Sequence, residues 1–252
     1  MTDPRSPVRL HQFPRVWGRN ISPFTLKLES WLTLAKIPFE IVETINPRAA
    51  PKGKIPFIED GEQAIGDSSL VIEHLVRTRG VDLDDGLDAD ARAEAVLLQR
   101  LFEEHLYFIG AYSRWIDPDG WRTVRPALFA SIPPGAREVV AAVVRRKIRR
   151  DLMGQGILRH EPREIYAMAA ADLEAVAVLL DDGPFFFRGR PHTIDCIAYG
   201  GLANILMVPV ETELKRIAGR FANLRQFCQA MEQEVAAARV DDQVERDEPA
   251  LI

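Results

Sequence analysis

Three pairs of residues have the chemistry to hold a small charged molecule. Ser22-Pro23 and Asp67-Ser68 each precede a run with helical character, and Ile55-Pro56 precedes a short β-rich run. Ser and Asp are preferred helix N-cap residues, and the free amides of a helix start also bind anions. Each helix start can therefore be a structural cap or part of a ligand site.

Pro56 can be interpreted in two ways, as part of a ligand site or as a structural residue. The peptide group before a proline at a sheet edge can pair with an extended peptide, which would be bound as one more strand. Alternatively, Pro56 is a trans proline that begins an edge strand. X-Pro bonds are cis in only about 5–6% of cases, so base rates alone favour the trans form.

The elements that must position these residues begin with a strand, a helix and a strand. Val8 to Phe13 alternates apolar and polar residues, Pro23 begins a helix that Pro38 ends, and Phe39 to Thr44 is β-rich. Short connections make this a βαβ unit with parallel strands and a right-handed crossover. One apolar stripe runs along the helix, formed by Phe24, Leu28, Trp31, Leu32 and Ala35.

A hairpin and a second helix complete the first region. Asp60-Gly61 separates the short runs Ile55 to Glu59 and Glu62 to Ile65, and Asp-Gly is a strong signal for a type I′ turn. Asp67-Ser68 then begins a helix that runs to about Arg79. This order predicts a thioredoxin-like domain over residues 1–80.

The rest of the chain is predicted to be helical. Residues 81–90 are acidic and form a linker, residues 91–240 form an all-helical domain of five or six helices, and residues 241–252 form a charged tail. The predicted fold class is therefore α/β plus all-α, with a helical bundle after the first domain. The predicted helices are Ala89–Ile116, Pro134–Leu152, Pro162–Leu180, Thr193–Met207 and Leu224–Ala238.

Composition narrows the function classes. The 252 residues carry a net charge of −5, which favours neither nucleic acid nor an anionic membrane as partner. The longest uncharged stretch is too short for a membrane span, and the five histidines lack metal-ligand spacing. Cys196 and Cys228 are predicted to be buried, reduced thiols, which favours a cytoplasmic protein.

A family resemblance follows from the motifs together. Lys54-Ile55-Pro56, a hairpin and Asp67-Ser68-Ser69 ahead of a helical domain resemble the glutathione transferase superfamily. The runs from Ile21 to Glu29 and from Pro191 to Gly200 resemble one branch of it. That branch contains the failed-axon-connections proteins, the metaxins and their bacterial relatives.

The resemblance implies a glutathione site. In the family the proline equivalent to Pro56 is cis, and the backbone of Ile55, within the Lys54-Ile55-Pro56 motif, holds the cysteinyl part of glutathione. The γ-glutamyl carboxylate would lie on Ser68 and its neighbouring amides, with Asp67 facing the ammonium group. Glutathione would be a co-substrate, and no metal is implied.

Ser22 occupies the family's catalytic position at the start of the first helix. Its hydroxyl would donate to the glutathione sulfur and, with the helix dipole, favour thiolate over thiol. The alternative is that Ser22 only caps the helix, and Arg19 or Asn20 supplies the donor. Because Ser22 and Thr25 replace both sulfurs of a Cys-x-x-Cys motif, thiol–disulfide exchange is excluded as a function of this site.

The co-substrate pocket is predicted on the long helix after the linker. Its candidate residues are Tyr107, Arg114 and Trp115, with Glu103 and Tyr112 nearby, and ordinary core packing is the alternative for the aromatic residues. The basic run from Arg145 to Arg150 is predicted to be a solvated helix face, with an acidic partner or dimer contact as the alternative. His192 to Asp195 is predicted to be a helix-capping element without a catalytic role.

Two functions fit these expectations. The first is an enzyme that conjugates the glutathione thiolate to a small electrophile. The second is a non-catalytic, metaxin-like binding or interaction protein on the same scaffold, since the branch is not uniformly enzymatic. A glutathione-dependent reductase or dehalogenase is less favoured, because that chemistry uses a cysteine at position 22. A homodimer is expected by analogy with the superfamily.

Overall fold

The computed structural model describes residues 6–247, with side chains described as far as Arg239. The strands are β1 (Val8–Gln12), β2 (Phe39–Glu43), β3 (Phe57–Asp60) and β4 (Gln63–Gly66). They form one mixed sheet in the order β2-β1-β3-β4. Strands β1 and β2 are parallel, whereas β3 is antiparallel to both β1 and β4.

Two helices pack on this sheet and confirm the thioredoxin-like fold. Helix α1 (Pro23–Leu34) connects β1 to β2, and α2 (Ser68–Arg79) follows β4 directly. The apolar stripe predicted for α1 is largely buried, with Leu28, Trp31 and Leu32 fully inaccessible to solvent. Gly80, at φ +70°, ends α2, where a residue without a Cβ adopts the left-handed conformation at no steric cost.

Between residues 81 and 247 the elements are all helices, which confirms the helical part of the predicted fold class. The sequence predicted one helix over Ala89–Ile116; the structure divides it into α3, a π-helical segment at Leu101–Leu106, and α4. The helices are α3 (Ala89–Arg100), α4 (Tyr107–Trp115), α5 (Pro118–Leu128), α6 (Pro134–Gln155), α7 (Pro162–Leu180), α8 (Thr193–Leu206), α9 (Glu213–Ala218) and α10 (Ala222–Asp247).

Two of these helices, α5 and α9, were not predicted. Helix α5 contains Pro126, which normally argues against a helix, but the proline lies near its end. Helix α9 has six residues, too few to show helical periodicity. At the other end, α10 includes residues 241–247 of the predicted charged tail, and residues 248–252 lie outside the described part of the chain.

The helical region is joined to the first region mainly by α8 packing on α1. Gly200 of α8 lies so close to α1 that an added Cβ would be 2.4 Å from the carbonyl oxygen of Pro23. The other glycine in this turn, Gly201, faces the Phe102 ring instead. The close approach at Gly200 fixes the start of α1 against α8.

The start of α8 confirms the predicted capping element. His192 is the N-cap residue, and the Asp195 carboxylate accepts hydrogen bonds from the amides of His192 at 2.8 Å and Phe186 at 3.0 Å. Burial raises the pKa of Asp195 to about 7. Cys196 and Cys228 are free and buried, as predicted.

No helix within residues 6–247 has the length and hydropathy needed to cross a bilayer.

Candidate functional site

The register of the sheet brings the predicted site residues to one end of three strands. His11 of β1 pairs with Phe57 of β3, and Phe57 pairs with Gly66 of β4. One step further along this register lie Gln12, Pro56 and Asp67, side by side across the sheet. Because α2 begins directly after Asp67 and α1 begins after the loop that follows Gln12, both helix starts project from this end.

The Ile55-Pro56 peptide bond is cis, which confirms the conformation expected from the family resemblance. The pair precedes the first paired residue of β3, so its peptide groups lie beyond the end of the ladder. The side chains of Ile55 and Pro56 are buried, whereas that of Lys54 is exposed. Since β3 lies inside the sheet, Ile55 offers its backbone at the end of a central strand and not along a free sheet edge.

Asp67 caps α2 in an unusual backbone conformation. Its φ of +86° is rare for a residue with a Cβ, and such positions cluster at ligand sites. Its Oδ1 accepts hydrogen bonds from the amides of Ser69 at 2.9 Å and Leu70 at 3.3 Å. Neither the Ser68 amide nor Asp67 Oδ2 takes part in these two capping bonds. The amide suits a ligand carboxylate, and Oδ2 suits an ammonium group.

A buried polar network lies beneath the start of α2. The Lys27 ammonium of α1 donates to Ser69 Oγ and to the Glu103 carboxylate, both at 2.7 Å, and only 2% of the Lys27 side chain is exposed. Gln99 donates to the same two residues, at 2.9 and 2.8 Å. Glu103 belongs to the π-helical segment, a form of helix common at functional sites. Sequence reasoning missed Lys27, because a lysine on an amphipathic helix usually faces solvent.

Ser22 is the N-cap residue of α1. Its Oγ accepts a hydrogen bond from the Thr25 amide at 3.4 Å, a long distance for this type of bond. A hydroxyl group that accepts one hydrogen bond still has its proton to donate. Capping and donation to a sulfur are therefore compatible roles for the same side chain.

The loop before Ser22 is held by side chains from both parts of the molecule. Asn20 Oδ1 accepts from the Ser22 amide at 3.0 Å, and its Nδ2 donates to the Phe13 carbonyl at 2.8 Å. From α4, Arg114 donates to the Ile21 carbonyl at 2.7 Å. Arg114 also donates to the Asn204 carbonyl of α8 at 2.9 Å. These bonds hold in place the backbone segment that carries Ser22.

The structure gives Arg19 and Asn20 supporting positions. The Arg19 guanidinium pairs with Glu232 of α10 at 2.9 Å and contacts Met207 Sδ at 3.8 Å. Both polar atoms of the Asn20 side chain make hydrogen bonds to the backbone, and the side chain is almost fully buried. Arg19 is thus directed to α10 and Asn20 to the loop backbone, whereas the Ser22 hydroxyl lies at the start of α1 with a proton to donate.

The three residues predicted for the co-substrate pocket separate into different environments. The Tyr107 ring lies 4.9 Å from that of Phe24, in the first turn of α1, so this aromatic pair borders Ser22. Arg114 is turned to the loop backbone, whereas Trp115 packs with Trp121 of α5, at 5.8 Å between ring centroids. Phe24 was predicted only as part of the buried stripe, although it directly follows Ser22-Pro23.

Burial shifts two ionisable groups at this end of α4. Desolvation lowers the pKa of Arg114 to about 10, which leaves the guanidinium charged at neutral pH. Desolvation also raises the pKa of Tyr107, partly offset by the charge of Arg114. Tyr107 is therefore a neutral phenol at neutral pH, and it packs against Phe24.

Comparison with known proteins identifies the fold and the family of the chain. A model described as glutathione S-transferase N-terminal domain matches residues 23–120, and one described as glutathione S-transferase, C-terminal domain matches residues 169–231. A glutathione S-transferase of Ceriporiopsis subvermispora, solved in complex with glutathione, superposes with a TM-score of 0.60 at 15% identity. That superposition covers 94% of this chain and all of the other.

Relatives in sequence fall in the predicted branch. Isoprene-epoxide–glutathione S-transferase of Rhodococcus sp. (strain AD45) is 33% identical over 211 residues, which cover 80% of this chain and 88% of the relative. Failed axon connections of Drosophila melanogaster is 30% identical, over 79% of this chain and 50% of the relative. Metaxin-2 of Mus musculus is 24% identical, over 83% and 80%. The chain belongs to the glutathione S-transferase family.

Proposed function

We propose that this chain is a glutathione transferase, which binds glutathione at the end of the sheet and directs its thiolate to a small electrophile. The observation that carries the proposal is the juxtaposition of Pro56, Asp67 and the Ser68 amide, with Ser22 at the neighbouring helix start. Ile55 would hold the peptide of glutathione, and the α2 start its γ-glutamyl group. Lys27, paired with Glu103, donates to Ser69 in the first turn of α2 and holds that start in place.

Ser22 would stabilise the glutathione thiolate by donating its proton in a hydrogen bond. The start of α1 adds its dipole, and both effects lower the pKa of a bound thiol. The electrophile would lie against Phe24 and Tyr107. Holding it there next to the sulfur supplies proximity, a large contribution to rate in a two-substrate reaction. The Rhodococcus relative makes a small epoxide the first electrophile to test.

A variant pair separates the hydroxyl of Ser22 from its capping role. Glycine is nearly as good an N-cap as serine, so Ser22→Gly removes the hydroxyl with a stability loss of only a few tenths of a kcal/mol. We expect the rate of conjugation to fall on the order of a hundredfold in Ser22→Gly. Ser22→Thr, which restores a hydroxyl, should recover most of it. The glutathione affinity measured by calorimetry should change little in either variant.

The thiol pKa of bound glutathione gives a second readout, followed by thiolate absorbance. It should lie below that of free glutathione in the natural protein and rise in Ser22→Gly. Absence of glutathione binding at millimolar concentration would overturn the proposal.

The second candidate is a protein that binds glutathione or a partner without turnover. One observation favours it, the similarity of the chain to Failed axon connections and Metaxin-2, neither of which is named as a transferase. On this alternative, glutathione binds but no electrophile is conjugated, and Ser22→Gly has no functional effect. The homodimer and the cytoplasmic location stay predictions.

A further inference from the structure

The loop before Ser22 contains a tight turn whose first central residue is a tryptophan. Val16 and Arg19 exchange two backbone hydrogen bonds, at 2.9 and 3.2 Å. Between them, Trp17 and Gly18 have φ values of +54° and +77°. Two successive residues at positive φ are typical of a type I′ turn, in which asparagine and glycine are the usual residues. Gly18 fits this rule and Trp17 does not, because positive φ is costly for a bulky side chain.

The side chain of Trp17 packs into a small apolar cluster that is separate from the main core. The buried members of this cluster are Val124, Val208 and Val210, each at most 5% exposed, and Leu128 packs against them. Val124 and Leu128 belong to α5, and the two other valines follow α8. Among the described residues of the cluster, Trp17 is the one that the first region supplies. Backbone strain persists where packing over-determines it, so we infer that contacts with the helical region hold Trp17 at positive φ.

Arg19, at the other side of the turn, is held by ionic and polar contacts. Its guanidinium donates to the Glu232 carboxylate of α10 at 2.9 Å and contacts Met207 Sδ at 3.8 Å. Only 16% of the Arg19 side chain is exposed. Desolvation raises the pKa of Tyr199 in α8 to about 12, and the nearby charge of Arg19 opposes this shift. The guanidinium therefore lies next to both α8 and α10.

The turn is thus anchored to the helical region at two points, one apolar and one ionic. Only Asn20 and Ile21 separate it from Ser22, and both of them are hydrogen-bonded. A displacement of the turn would therefore be passed on to the Ser22 backbone and to its hydroxyl.

We propose that Trp17 and Arg19 are positioning residues, which anchor the turn before Ser22 to the helical region and so set the position of the Ser22 hydroxyl. This inference rests on the proposed function, in which that hydroxyl stabilises the glutathione thiolate. Neither side chain has to touch glutathione or the electrophile in this role. A misplacement of about 1 Å can lower a rate on the order of a hundredfold, so loss of an anchor should slow conjugation.

The substitution Trp17→Asn separates the anchor from the turn. Asn-Gly is a preferred pair for a type I′ turn, so this variant keeps the turn and loses the apolar contacts. We expect kcat to fall roughly tenfold, while KM for glutathione stays within about twofold. The thiol pKa of bound glutathione should rise, because the Ser22 hydroxyl no longer meets the sulfur. Trp17→Phe, which keeps an aromatic ring in the cluster, should recover most of the rate.

A second pair of variants tests the ionic anchor from α10. Glu232→Gln breaks the ion pair with Arg19 and leaves the loop sequence unchanged. Glu234→Gln is the matched control, because it removes an exposed carboxylate from the same helix. We expect kcat to fall about threefold in Glu232→Gln, as befits a partly exposed ion pair, and to stay unchanged in Glu234→Gln. The difference should shrink with added salt, since screening weakens the pair.

Hydrogen exchange of residues 20–25, measured without glutathione, gives a readout that does not depend on turnover. These amides should exchange faster in Trp17→Asn and Glu232→Gln than in the natural protein, and those of α2 should not change. Unchanged exchange in both variants would overturn the proposal. So would faster exchange with an unaltered kcat in a protein that conjugates glutathione. Faster exchange in a protein that conjugates no electrophile would support the anchor and overturn the proposed function instead.

Discussion

The starts of α1 and α2 lie at the same end of the sheet but are built differently. Helix α2 is capped by the charged, exposed Asp67 at positive φ, with Lys27 beneath. Helix α1 is capped by the neutral Ser22, and α4 and α8 hold the loop before it. The helical region supports both starts, but at different points. Its Gln99 and Glu103 bond Ser69 and Lys27 beneath α2, whereas its Arg114 and Asn204 hold the backbone of the loop before α1. In the proposed function, the start of α2 would bind the charged end of the ligand and the start of α1 would act on its sulfur.

The largest effect is expected from Lys27→Met, which removes the residue that joins both helix starts. Removing one partner of a buried ion pair leaves the other charge unpaired, at a cost of about 3–5 kcal/mol in the free energy of unfolding. Chemical denaturation would measure this loss. The exposed Lys147→Met is the control, with a change within about 0.5 kcal/mol. If Lys27→Met is as mild as the control, Lys27 does not support the two helix starts. Lys27→Met/Glu103→Leu should recover part of the stability, since no buried charge is left alone.

The start of α8 is a third case, in which the contribution of the capping residue Asp195 to the free energy of unfolding depends on pH. Burial raises the pKa of Asp195 to about 7, above the ordinary value of about 3.9 for an unfolded chain. The native state therefore binds this proton more tightly, and its contribution to stability is present below pH 4 and lost as pH rises through 7. We expect the stability of the natural protein, relative to Asp195→Asn, to fall by about 3 kcal/mol between pH 4 and pH 7. A flat difference across this range, in denaturation curves of both proteins, would contradict the raised pKa.

Gly200→Ala tests the support of α1 alone. The new Cβ would lie 2.4 Å from the Pro23 carbonyl oxygen, so α1 and α8 must move apart. We expect a loss of about 2–3 kcal/mol in the free energy of unfolding, and a lower conjugation rate with little change in glutathione affinity. Gly201→Ala is the control on the same helix, because its Cβ would lie 3.1 Å from the Phe102 side chain and would not meet the backbone of α1. Equal effects of the two substitutions would argue against a special role for the α1 start.

Asp67→Ala tests the start of α2 alone and should have the smallest effect on stability. It removes the cap and places an unsuitable residue at positive φ, at a cost of about 1–2 kcal/mol. Glutathione affinity should fall roughly tenfold, because the ammonium group loses its partner. Asp67→Asn tolerates the same φ and keeps the cap without the charge, so it should lose affinity but little stability. Unchanged affinity in Asp67→Asn, measured by calorimetry, would show that Oδ2 does not face the ligand.

Much of the fold follows from local signals in the sequence. The Ser22-Pro23 cap, the Asp60-Gly61 turn and the apolar stripe of α1 each specify an element through nearby residues alone. The cis conformation of the Ile55-Pro56 bond could be predicted only from the family resemblance, because the residues around it do not distinguish cis from trans. Helices α5 and α9 were missed because one contains Pro126 and the other is too short to be periodic.

The sequence predicted those parts of the site that consist of short local motifs. It missed the parts that depend on contacts between residues far apart in the chain. Asp67-Ser68 and Ile55-Pro56 are adjacent through strand register, which the hairpin already implies. The bond from Arg114 to Ile21 joins residues 93 positions apart, and Lys27 meets Glu103 across 76. No residue pattern within a single helix predicts such contacts. For this reason Arg114 was expected in a substrate pocket, whereas its guanidinium in fact binds backbone.

The bonds from Arg114 to the Ile21 and Asn204 carbonyls also bear on how such a chain can be recombined. A chimaera that joins residues 6–80 to the helices of another protein would keep Pro56, Asp67 and Ser68 in the sheet but would lose Gln99 and Glu103, which bond Ser69 and Lys27 beneath α2. It would also lose Arg114, Asn204 and Gly200, which hold the loop before Ser22 and the start of α1. A crossover at the linker would therefore remove support from both helix starts, and we expect the proposed glutathione site to survive only where the new helices restore these contacts.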